Sequence, residues 1–162
     1  MDDKQHYTDD GRLIDALPAD APERIKHKHP SPLHALIAGD TSEAVTNFPG
    51  TDRDRLMFVL KAESGDVIKG DDVKGQPISI VFFYAHRVRM VNDRTGEFTE
   101  PLRVVLFDKD GLGVSFVSDT VARGLMRIVE FCGMGPYDPP VVVKVVEAKT
   151  GSGYKTKTIV PV

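Results

Sequence analysis

Residues 77–91 read PISIVFFYAHRVRMV, a run in which nearly every position is apolar, aromatic or β-branched. Such residues suit a pleated, packed backbone better than a helix. At about 3.3 Å per residue, the run as one strand spans roughly 50 Å, more than one layer of a small domain needs. The reading is therefore a bent strand shared between two sheets. Parity supports the bend. Ile78, Ile80 and Phe82 form an apolar row at the start, whereas Arg87 and Arg89 form a basic row of opposite parity near the end. A bulge near Ala85 reconciles the two rows.

Working outward toward the C-terminus, NDRTGE (92–97) reads as a hairpin turn and Phe98 to Phe107 as a second strand. Asp108 to Gly111 is a tight turn. It leads to a third strand, Leu112 to Val117, with Leu112, Val114 and Phe116 inward. Ser118 caps a helix to about Phe131. Val121, Leu125, Ile128 and Val129 make its apolar stripe, and Arg123, Arg127 and Glu130 face water. GMGPYDPP (133–140) stops that helix. Val141 to Ala148 is a fourth strand, 150–153 a turn, and Tyr154 to Val160 a fifth. The order β-β-β-α-β-β is that of the OB-fold, a five-stranded Greek-key barrel. The expected fold is thus mainly β, an OB-fold-like barrel over 77–162.

Toward the N-terminus the pattern fades. Residues 1–50 form an acidic arm punctuated by prolines, partly disordered or peripherally docked, with one helical turn at Leu33 to Ala38 ended by Gly39. Residues 51–76 hold a linker and a short helix at about 52–62. That helix has Thr51 as N-cap and Leu56, Val59 and Leu60 at helical spacing.

A hydrophobic fraction of 41% and a charged fraction of 28% place the chain among soluble globular proteins. No apolar run reaches the 18 residues of a membrane span, and MDDKQHYTDD is no signal peptide. Cys132 stands alone, which excludes an intrachain disulfide and makes a reducing cytoplasm the expected compartment. The net charge of −3 hides an asymmetry: residues 1–50 carry nine acids against five Lys and Arg, the remainder fifteen against sixteen. Charge alone neither announces nor excludes a nucleic-acid partner.

The run VVLFDKDGLGVSFVSDTVARGLMRIVEFCGMGPYDPPVVVKVVEAKTGSGYKTKTIVPV (104–162) resembles the single-stranded-DNA-binding proteins of some tailed bacteriophages. The likeness rests on the Asp108–Gly111 turn, Val117 and Ser118 before the helix, the loop Gly135–Pro140, the strand Val143–Val146 and the hairpin Lys149–Lys157. It covers 77–162. The aromatic of the proline loop, often Trp in that family, is Tyr137 here, and the chain ends without the acidic tail that recruits partners in bacterial single-strand binders. The resemblance implies non-enzymatic, sequence-tolerant binding of single-stranded DNA in phage-type replication.

Single strands need a cationic groove along their phosphates and aromatic faces for their bases. In an OB barrel that groove crosses strands two and three, between the first-to-second and fourth-to-fifth loops. Arg94 lies in the first loop, with Lys149, Tyr154, Lys155 and Lys157 in or beside the second. Arg87, Arg89 and Arg103 lie on the adjoining strands, and Tyr137 is a further stacking candidate. Phe82, Phe83, Phe107 and Phe116 read as core. Expected partners are single-stranded DNA and replication proteins reached through the arm. A homo-oligomer is compatible with the reading, and no membrane or cofactor is expected. The other reading is an OB-like interaction module of a replisome or virion assembly.

Enzymatic readings fail on context. In 151–156 (GSGYKT) a strand follows where a phosphate loop needs a helix. Asp108–Gly111 lacks the later ligands of a calcium loop. His27, His29 and His34 have no carboxylate or thiol at ligand spacing, and Cys132 reads as a small buried hydrophobe.

Overall fold

The run 77–91 does bend, and it serves three sheets rather than two. A computed structural model describes residues 31–149, 151–153 and 155–162. The acidic stretch 1–30, with His27 and His29, lies outside the described residues, as does Tyr154. The elements are α1 (Pro32–Ala38), β1 (Val45–Thr46), α2 (Asp52–Glu63), β2 (Ile68–Lys69), β3 (Pro77–Ile80), β4 (Phe82–Arg87) and β5 (Met90–Val91). They continue as β6 (Phe98–Thr99), β7 (Leu102–Phe107), β8 (Gly113–Val117), α3 (Asp119–Cys132), β9 (Val141–Lys149) and β10 (Lys155–Pro161). The fold is mixed α/β, not mainly β.

β3 pairs with β9, β4 with β7, and β5 with β6, all antiparallel. The first break falls at Val81, four positions before the expected bulge at Ala85. Val81 belongs to neither ladder. Its amide donates to the Phe107 carbonyl at 2.9 Å, and its own carbonyl accepts from the Tyr137 amide at 3.1 Å and the Asn47 side-chain amide at 3.2 Å. Buried Asn47 also accepts from the Phe83 amide at 2.7 Å, so the kink keeps its backbone groups satisfied. The parity slips by one residue there. Ile78 and Ile80, then Phe83 and Ala85, share the main core, while Phe82 and Tyr84 face the opposite side.

The barrel does not close. The ladders form a five-stranded sheet in the order β1-β4-β7-β8-β2, a three-stranded sheet β10-β9-β3 and the hairpin β5-β6. Because β3 runs into β4, four of the five pairings of a closed OB barrel are present. The fifth, β8 with β10, is absent among the described residues. The reason is local: β2 occupies the outer edge of β8 in parallel register, Ile68 against Val114 and Lys69 against Ser115. The 3-10 turn Gly70–Val73 follows, with Gly70 so close to the Phe116 ring that a Cβ would stand 2.1 Å from it. Segment 68–73 thus stands in the seam where a barrel would zip shut.

Two hydrophobic clusters flank the five-stranded sheet. The larger joins Phe83, Ala85, Val104, Leu106 and Phe116 to α3 (Val121, Ala122, Leu125, Val129) and to α1 (Leu33, Leu36). Leu33 and Leu36 are fully buried and β1 is paired to β4, so 31–50 goes deeper into the fold than a peripheral arm. The smaller cluster holds Phe58 and Ala62 of α2 against Tyr84, Val105 and Phe107.

Several sequence expectations turn round here. On α2, Leu56 and Leu60 are 55% and 52% exposed, and Phe58 and Ala62 face inward instead. Apolar residues run unbroken from Leu56 to Leu60, so spacing picks no face. The Phe58 ring decides it, stacked on Phe48 at 4.3 Å and tilted on Phe107 at 4.6 Å. Leu112 is exposed because it belongs to the turn, where its amide donates to the Asp108 carboxylate at 2.9 Å. Glu130 turns from water to His34 Nε2, 2.9 Å away, tying α1 to α3. Cys132 is exposed at the end of α3.

Candidate nucleic-acid interface

The expected binding residues divide into those the fold uses to brace itself and those it leaves at the surface. Arg87 belongs to the first group. Its guanidinium donates to the carbonyls of Leu36 (2.9 Å), Ile37 (3.1 Å) and Glu100 (2.9 Å). The Leu36 carbonyl also accepts the Gly39 amide at 3.2 Å, so Arg87 adds to the cap of α1, where a cation is favoured by the helix dipole. Arg103 performs the same service for α2: it donates to the Ala62 carbonyl at 3.0 Å and the Ser115 hydroxyl at 2.9 Å. Tyr137 is buried, with its hydroxyl donating to the Gly133 carbonyl at 2.8 Å and its phenol pushed above its ordinary pKa, chiefly by burial. No face of that ring is open to a base.

The surface group gathers at one rim. β4 ends and β7 begins there, with the hairpin β5-β6 between them. Its turn closes through the Asn92 amide on the Glu97 carbonyl (2.8 Å) and the Gly96 amide on the Asn92 carbonyl (2.7 Å). The positive φ of Gly96, 70°, is what the turn requires. Every residue from Arg89 to Glu100 is exposed. Arg89 lies over the Phe98 ring, 4.3 Å from its centroid, and Phe98 is 60% exposed beside Met90 and Val91. Phe98 escaped the sequence reading, which took it as the opening of a core strand. Its cross-strand partner Val91 follows from the symmetry of the turn, and that was the available signal.

The second hairpin reaches the same rim. Val117 faces Arg103 across the β7–β8 ladder, and with Lys155 and Lys157 it lines a groove of about 400 Å³ along the open seam. A neighbouring cleft of about 450 Å³ brings together Lys69, Arg103 and Lys157. Two acids moderate this cationic line: Asp71 holds Lys157 at 2.5 Å, and Glu147 holds Lys74 at 2.5 Å with Lys155 at 3.9 Å. Both carboxyls are drawn below the ordinary range, Asp71 chiefly by its hydrogen bond from Lys157 and Glu147 by that from Lys74. Lys149 and Arg94 are exposed. The structure therefore brings Lys155 and Lys157 along one seam, sets Arg89 and Arg94 on the adjoining hairpin, and engages Arg87, Arg103 and Tyr137 within the fold.

Behind the seam, the outer face of the sheet carries Tyr84, whose hydroxyl donates to Glu63 at 2.6 Å, stacked on His86 at 4.8 Å. Burial, then the nearby Arg103, hold the His86 imidazole below its ordinary pKa. Among the described residues, no cluster of His, Cys, Asp and Glu could hold a metal ion, and no helix is long and apolar enough to cross a membrane.

Exposed rings and lines of cations are the groups that single-strand binders use. The chain belongs to the Phi29 phage single-stranded DNA-binding protein family, whose model matches residues 40–160. The match begins before β1 and so takes in α2, which the resemblance over 77–162 left out. No curated protein and no solved structure matches the chain.

Proposed function

We propose that the protein is a non-enzymatic, sequence-tolerant binder that coats and protects single-stranded DNA during phage replication. Family membership implies the single-stranded ligand. The observation that carries the reading is the exposed Phe98 ring under Arg89 on β5-β6, together with the groove that Lys155 and Lys157 line beside Val117. Phe98 offers the stacking face, and Arg89, Arg94, Lys149, Lys155 and Lys157 the phosphate contacts. Tyr154, which the sequence puts in or beside the loop before the last strand, is a further stacking candidate and lies outside the described residues. Arg87, Arg103 and Tyr137 hold the scaffold. Asp93 and Glu97 share the first hairpin with the arginines, so stacking rather than a long-range field dominates there.

Fluorescence anisotropy with labelled oligo-dT and a duplex of equal length tests this. The single strand should bind more tightly, and its affinity should fall as salt rises because phosphate contacts release counterions. Equal binding to both, or none, rejects the reading.

A further inference from the structure

At the far end of the same sheet from the hairpin, where Phe82 pairs with Phe107, a cavity of about 630 Å³ opens beside α2. That volume falls within the range that holds small organic ligands. Its floor is aromatic. The Phe48 and Phe82 rings, centroids 5.0 Å apart, are both half-buried, and Phe58 lies behind them, 4.3 Å from Phe48. Met57, 60% exposed, stands at the mouth.

The mouth also carries Lys61 and Lys109. Gly111 makes room for the first of them: a Cβ there would lie 2.7 Å from Lys61 Nζ, and its φ of 81° already favours glycine. Two acids line the same cavity. Asp54 is engaged in capping α2, accepting from the Thr51 amide at 2.9 Å and the Thr51 hydroxyl at 2.9 Å, while Asp110 is exposed in the turn. A half-buried pair of rings beneath two ammonium groups matches the two halves of a nucleotide, a flat base and an anionic phosphate.

We propose that this cavity is a base-stacking subsite for one nucleotide of the bound single strand, with Phe48 and Phe82 against the base and Lys61 and Lys109 on its phosphate. The inference rests on the single-strand reading above. It places a second anchor five ladder positions, roughly 17 Å, from the hairpin end of β4. Bound strand would then extend past the rim to the opposite end of the molecule.

The chain contains no tryptophan, so Met57→Trp adds a sole indole reporter at the mouth. In the full-length protein, oligo-dT should quench that indole with the same midpoint as the anisotropy titration. Lys61→Gln with Lys109→Gln should reduce the magnitude of the salt slope by about 0.7, the contribution of the one single-strand phosphate the two lysines share. Phe48→Leu keeps apolar volume but removes the ring, and should weaken binding roughly 5- to 150-fold, the loss of one stacked base. A melting curve of that variant separates lost stacking from lost folding. Normal oligo-dT binding with an unresponsive indole and an unchanged salt slope overturns the subsite and leaves the rim standing. Failure of the wild-type chain to bind oligo-dT overturns both. Indole emission that changes with protein concentration in the absence of DNA overturns the subsite in favour of self-association.

Discussion

The two faces of the five-stranded sheet are built from the same strands yet do different work. The inner face is aliphatic and closed: Ala85, Val104, Leu106 and Val114 pack with Phe83 and Phe116 under α1 and α3, nearly without solvent. The outer face alternates rings with polar groups, Phe82, Tyr84 and His86 on β4 opposite Phe107, Val105 and Arg103 on β7. Among the described residues, the helix that covers it is α2, and a cavity remains at one end. Dry packing leaves a ligand nowhere to enter. The outer face is closed at its centre too, with Tyr84, Val105 and Phe107 buried, but its half-buried rings Phe48 and Phe82 and the polar edge at His86 leave both ends accessible. Stability should thus reside mainly on one side, recognition on the other.

The largest test strikes the inner face. Phe116→Ala leaves a void against Gly70 and should cost about 3–5 kcal/mol, read as a lower urea midpoint. Arg103→Ala on the outer face should cost less, about 1.5–3 kcal/mol, because it frees a helix-end carbonyl and a hydroxyl rather than emptying a core. Hydrogen exchange should then speed up in α2 and leave α3 protected. Equal loosening of both helices would erase the contrast between the faces. Phe98→Ala should leave stability within about 0.5 kcal/mol and reduce oligo-dT affinity by about 1–3 kcal/mol, one stacked ring. A variant that melts early instead would make Phe98 a structural residue.

The smallest effect is that of pH. His86 has a lowered folded-state pKa against an ordinary value of 6.5, so the unfolded chain binds the proton more readily. Its contribution to stability is therefore complete above pH 6.5 and declines as pH falls through the folded-state value. Exposure to solvent keeps the effect small. His86→Gln should flatten the pH dependence of the melting temperature across that window; an unchanged slope assigns the effect to another group.

Much of the candidate site was legible because charged residues beside turns have few places to go. Arg94 and Lys149 are exposed where the turns NDRTGE and 150–153 predict. Arg87 and Arg103 read the same way in sequence, as cations on strands, but each found a helix end across space (Leu36 and Ile37 for one, Ala62 for the other). Nothing local distinguishes an arginine that meets water from one that meets a carbonyl 41 residues upstream. Tyr137 differs in kind: its surroundings in sequence are polar and proline-rich, yet the kink at Val81 draws its amide, and its ring with it, into the core.

By itself the sequence determined what neighbouring residues decide among themselves. That includes the place of one helix between the strand-forming stretches from residue 77 onward, the hairpin turns, the Ser118 and Thr51 caps and the apolar stripe of α3, because propensity, capping and periodicity act within a few positions. Only the tertiary structure decided where the long strand breaks, which face of α2 turns inward and whether the cylinder closes. Each depended on a distant partner: Asn47 at Val81, the Phe48 and Phe107 rings around Phe58, and Gly70 against Phe116. Such contacts join segments far apart along the chain, where a local pattern carries no information.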